Sequence, residues 1–119
     1  MSILEMSPQE HDEKVAAVSH LPHLAAVMLV QAADVLGGLE LASTGYRDTT
    51  RLASSNPPMR TDILMANRDA VDQALEAFCA RITEMRSALQ AGDQQAILDA
   101  LTRAQDSRER WLDQGRNSP

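Results

Sequence analysis

Leu64, Val71, Leu75, Phe78, Ile82, Met85 and Leu89 recur at intervals of 7, 4, 3, 4, 3 and 4 residues. That spacing puts all seven on one face of an α-helix, the kind of seam by which one helix packs on another. Asn56-Pro57 before the seam reads as a helix start and Gly92 after it as a stop. The pattern therefore predicts one helix of about 35 residues, about 50 Å long. A compact domain of 119 residues has a radius of gyration of only about 13 to 14 Å. The far end of such a helix needs another surface, and the economical one is a second, two-fold-related copy with its long helices interlocked. The expected fold class is all-α, a long-helix bundle in an obligate or near-obligate homodimer, with residues 1–119 as a single domain.

The rest of the chain reads as shorter helices. Ser7-Pro8-Gln9-Glu10 supplies a capping hydroxyl, a proline for the first helical position and a glutamate three residues after the cap, so a helix begins at about residue 8. Val15, Val18, Leu21, Ala25, Met28 and Ala32 then follow helical spacing, and from Leu24 to Leu36 the helix is apolar nearly all round, as in a segment buried on several sides. Pro22 removes a backbone donor inside this pattern and predicts a kink or break near Val18 to Leu21. Gly37-Gly38 weakens the helix before a corner at Ser43-Thr44-Gly45, and Thr49 to Ser54 can form a short helix. Asp93 caps a last helix carrying Ile97, Leu101, Ala104 and Trp111, while residues 1–6 and 113–119 are expected to fray.

Composition narrows the function classes. With aromatics at 3% and apolar residues at 44%, the interior is built from aliphatic side chains. A net charge of -6 argues against sequence-independent nucleic-acid binding, which needs clustered cations. Cys79 has no second cysteine to pair with, and its place on an apolar helix face predicts an inert buried thiol. Met1 to Met6 lacks the basic start and apolar run of a signal peptide. The apolar segment Leu24 to Leu41 is interrupted by Gln31, Asp34 and Gly37-Gly38, so no membrane span is expected and the chain reads as soluble and cytoplasmic.

Chemistry concentrates in two places. Gly45-Tyr46-Arg47-Asp48-Thr49-Thr50-Arg51 sets cations between apolar arms in an acidic chain. Arg51 offers the fixed donor fork that matches a carboxylate or phosphate, although Arg47, Asp48 and Arg51 also fit a solvated ion pair at a helix start. Ser19-His20-Leu21-Pro22-His23 sits beside the expected kink, with positions 19 and 23 four apart on one helical face. Together with His11 these histidines lack a defined zinc ligand set, so no metal is expected.

Three blocks, Met6-Ser7-Pro8-Gln9-Glu10-His11-Asp12 leading to Val18-Ser19-His20-Leu21-Pro22-His23, then Gly45 to Ala53, then Asp62-Ile63-Leu64-Met65-Ala66-Asn67-Arg68, give the chain its clearest resemblance. It resembles the C-terminal helical domain of prephenate and arogenate dehydrogenases, enzymes of tyrosine biosynthesis. The resemblance implies an oxidative decarboxylation in which hydride passes from the ring carbinol of prephenate or arogenate to NAD or NADP and carbon dioxide leaves. It implies that Arg51 holds a substrate carboxylate, that Ser19 and His23 line the same pocket, that Asp48 joins an ion-pair network around Arg51, and that Tyr46 belongs to the binding block. It further implies an intertwined homodimer that needs a nucleotide-binding domain in cis or trans. Cofactor and catalytic histidine would reside in that domain, leaving this chain without cofactor and inactive by itself. Two departures stand out: Ala42-Ser43-Thr44-Gly45 replaces a glycine run, and Met59-Arg60 puts a cation where many members carry tryptophan. The alternative function is a free-standing helical dimeric module that senses aromatic acids or binds partners without catalysis.

Overall fold

The computed structural model describes residues 5–117. Among these, six α-helices carry the chain: α1 Pro8–Val15, α2 Leu21–Leu36, α3 Thr44–Thr49, α4 Pro57–Ala66, α5 Arg68–Ala91 and α6 Gln94–Asn117. A π-helical turn, Ala16–His20, joins α1 to α2, and 3₁₀ turns occupy Leu39–Leu41 and Arg51–Ser54. No strand occurs among the described residues, and the class is all-α.

Side-chain caps fix the helix starts. Ser7 Oγ accepts from the Glu10 N–H at 3.1 Å, Asn56 Oδ1 from the Met59 N–H at 2.9 Å, and Asp93 Oδ1 from the Ala96 N–H at 3.0 Å. Each satisfies a donor the helix cannot satisfy internally and is worth about 1 kcal/mol. At the other end of α5, Gly92 takes φ +63 while its N–H reaches the Leu89 carbonyl and the Asp93 N–H reaches the Ala88 carbonyl, a Schellman closure.

Pro22 breaks the first long helix by changing its pitch. Having no N–H, it leaves the Val18 carbonyl without its usual donor. The chain responds with the π turn, in which the Leu21 N–H reaches back five residues to the Ala16 carbonyl. Pro22 then falls in the first turn of α2, where a missing N–H costs nothing further. The expected kink at Val18 to Leu21 is this inserted residue. Gly37, at φ 81 and ψ -172, stops α2 outright rather than weakening it. The corner therefore begins there, and Ser43-Thr44-Gly45 instead opens α3.

The predicted helix of about 35 residues is two. Asn67, at φ -122 and ψ 33, leaves helical geometry between α4 and α5. Its Nδ2 donates to the Asp12 carbonyl at 2.9 Å, a bond to the last turn of α1. α5 alone has 24 residues, about 36 Å.

Contacts divide the chain into two compact units, Met1–Ala77 and Phe78–Pro119. In the first, the buried residues among those described are Ala16, His20, His23, Ala26 and Val71. This stripe is offset from the one predicted through Val18 and Met28, because the small alanines permit close approach and α2 is apolar on more than one face. Val18 and Val35 are left 76% and 87% exposed. In the second unit none of the described residues is buried, and Leu89, Leu98 and Leu101 are all more than half exposed. Cys79 is exposed as well, which corrects the expected buried thiol. α6 extends to Asn117, with Arg116 paired to Asp113 at 3.0 Å, so 113–117 are helical; the fraying expected at 1–4 and 118–119 lies outside the described residues.

Candidate functional site

Ser43, Tyr46, Arg47, Thr50, Arg51 and Ser54 line an open groove of about 480 Å³. They recur every three or four residues, which keeps them on one side of α3 and the 3₁₀ turn that continues it. Thr50 Oγ1 donates to the Tyr46 carbonyl at 2.7 Å and ties α3 to that turn. No acid lines the groove, and neither Arg47 nor Arg51 forms an ion pair among the described residues. Two unneutralised guanidinium groups and a phenol in a concave surface suit a planar anion, above all a carboxylate. A second groove in the same unit has the opposite character: Asp12, Glu13 and Asp69 line it, and its one arginine, Arg68, is already paired to Asp69 at 3.8 Å.

Behind the first groove, α2 packs against the Arg51–Ser54 turn. His20 and His23 are 7% and 6% exposed, and the Nδ1 of each is buried with no hydrogen-bond partner. An unmet buried polar atom costs about 1 to 3 kcal/mol, so two on one helix stand out. Burial, then the charge of Arg60, then that of His20 lower the pKa of His23 from 6.5. The Arg60 side chain has its own unmet atom, a buried Nε, while its Nη2 donates to Ser55 Oγ at 3.4 Å, a long and weak bond.

Of the residues singled out in the sequence, Tyr46 and Arg51 share the groove, and His23 is buried with His20 in range of Arg60. Ser19 is exposed: the π turn adds a residue and breaks the four-residue rule that paired it with His23. Asp48 is exposed too, does not line the groove and forms no ion pair with Arg51. Sequence reasoning passed over Ser43, Thr50 and Ser54 as lining residues, although their spacing from Arg47 and Arg51 is the signal that collects them.

Residues 7–103 match the family described as prephenate dehydrogenase, dimerization domain. The chain belongs to that family. It is 33% identical over 111 residues to the prephenate dehydrogenase of Bacillus subtilis (strain 168), a stretch that covers 89% of this chain and 30% of that protein. Among solved structures it resembles Synechocystis arogenate dehydrogenase, with a TM-score of 0.82 at 26% identity, over 89% of this chain and 41% of that one. Prephenate dehydrogenase from A. aeolicus, crystallised in complex with hydroxyphenyl propionate and NAD+, gives a TM-score of 0.81 at 29% identity, over 88% and 38%. The chain thus spans less than half the length of each of these relatives. For a dimerization domain, apolar faces left open within one copy are the expected surface.

Proposed function

We propose that this chain is the dimerisation and substrate-holding part of a cytoplasmic prephenate or arogenate dehydrogenase, working as a homodimer. The observation that carries the reading is the acid-free groove holding Tyr46, Arg47 and Arg51. In this reading Arg51 grips a carboxylate of the cyclohexadienol substrate in bidentate fashion, and α2, with His23, backs the pocket. A ring held by its carboxylate keeps its carbinol carbon in one place, which hydride transfer requires.

NAD or NADP belongs to a nucleotide-binding domain supplied in cis or trans. The described residues are helical and lack the strand, glycine-rich turn and helix that cradle dinucleotide phosphates, so none of them is assigned to the cofactor. The unburied second unit and the exposed Val18 and Val35 support a second copy as cover. The same cover accounts for the helical run Pro8–Leu36, whose most apolar window has a mean hydropathy of 1.5 yet is only 22% buried within one copy.

Reconstitution tests the reading. The chain alone reduces no nicotinamide with prephenate or arogenate, and activity appears when a nucleotide-binding domain of the family is added. Absence of any gain, with both pieces folded and the dimer formed, overturns the proposal.

A further inference from the structure

We infer that the apolar outer face of α2 in one copy seats in the alanine-floored groove between α5 and α6 of a second copy, with Asp34 of that α2 paired across the contact to Arg103 of that groove. The inference rests on the homodimer proposed above and names the two surfaces that build it.

Between Lys14 and Glu40 the sequence carries one carboxylate, Asp34, and no lysine or arginine. α2 turns His23 and Ala26 inward. Leu21, Met28 and Val35, each seven residues from the next, fall on the opposite side of the helix. There Met28 is 48% and Val35 87% exposed. A repeat of seven on an uncovered face is the pattern by which one helix packs between others, and it calls for an apolar concave surface.

The second unit offers that surface. Ala96, Ala100 and Ala104, four apart on α6, line a cavity of about 520 Å³ together with Met85 and Ala88 of α5. Short side chains leave the spaces that large ones on a facing helix fill. Charge selects the same pairing. Of the three charged residues lining the groove, Arg81 and Glu84 neutralise each other at 2.8 Å, which leaves Arg103. Neither Arg103 nor Asp34 has an ion-pair partner among the described residues, and both are exposed. The single charge of the apolar run and the single unpaired charge of the groove are thus opposite in sign. The occupant is a second copy because residues 7–103, which include both Asp34 and Arg103, match a dimerization domain. Two-fold symmetry then makes the contact twice.

Charge reversal on the purified chain, read by sedimentation equilibrium, tests this. Asp34→Arg and Arg103→Asp each raise the dimer dissociation constant about tenfold or more, because like charges then meet at both copies of the contact. The double variant, Asp34→Arg with Arg103→Asp, returns the constant to near that of the unaltered chain, a rescue that a folding defect does not give. Additive losses in the double variant, or a constant unmoved by either single change, overturn the inference and leave the dimer standing. An unaltered chain that stays monomeric at every concentration overturns both. Oxidative footprinting gives a readout without variants: Met28 and Met85 oxidise more slowly in the dimer than after dilution to the monomer. Equal rates in the two states, or protection that appears only when a nucleotide-binding domain is added, sink the idea.

Discussion

Asn67 reaches back 55 positions to bind Asp12, its Nδ2 donating to the Asp12 carbonyl at 2.9 Å. The bond joins the end of α1 to the break between α4 and α5. Asn67→Ala removes it, and the expected loss is about 1 kcal/mol, the net worth of one such hydrogen bond. A lower urea midpoint with unchanged slope is the outcome to look for; an unchanged midpoint means the bond contributes nothing.

Two glycines separate backbone strain from crowding, because an added Cβ meets nothing within 4 Å at either. Gly92 has φ +63, in the left-handed helical region, where a Cβ costs about 1 to 2 kcal/mol. Gly37, at φ 81 and ψ -172, sits in a region only glycine populates freely, at a cost of about 1 to 3 kcal/mol. Gly37→Ala is therefore expected to lower the melting temperature at least as much as Gly92→Ala. The opposite order would show that the corner after α2 relaxes.

His23 has its pKa lowered from 6.5 by burial, by Arg60 and by His20. Between the lowered folded value and 6.5 the unfolded chain binds a proton that the folded chain refuses. The neutral ring's contribution is fully present above 6.5, diminishes as pH falls through it, and stops changing once pH is below the folded pKa. Urea titrations from about pH 7.5 down to about pH 5 should show this fall, and His23→Gln should flatten it relative to the unaltered protein. Equal slopes for the two would remove His23 as the cause.

Arg51→Ala should weaken substrate binding to the complete enzyme by about 2 to 5 kcal/mol, the range for deleting one partner of a desolvated charge pair. Calorimetry checks it directly. Retention of affinity would transfer the carboxylate contact to Arg47, the other cation in the groove.

The elements most readable from sequence were those fixed by local chemistry. Ser7, Asn56 and Asp93 each cap the helix their type and position announce, and Gly92 closes α5. Pro22 announced a disturbance, yet whether the chain kinks or inserts a residue depends on packing around Ala16 and His20, which periodicity does not reveal. Asn67 escaped notice for a related reason: its conformation is held by a partner 55 residues away. At the site, Tyr46 and Arg51 were legible as a motif, and their groove is present. Arg60 was visible only as an odd residue at its position, because the burial of its Nε without a partner comes from the fold and not from its neighbours in sequence.

The second unit, Phe78–Pro119, leaves none of its described side chains buried. Such a pair of helices covers its own side chains only in part, and when the rest of the cover is a twin molecule, folding becomes a bimolecular event. Dilution then acts as a denaturant: each tenfold drop in protein removes about 1.4 kcal/mol per mole of twinned assembly. For a protein twinned in this way, thermal midpoints carry meaning only alongside the concentration at which they were taken.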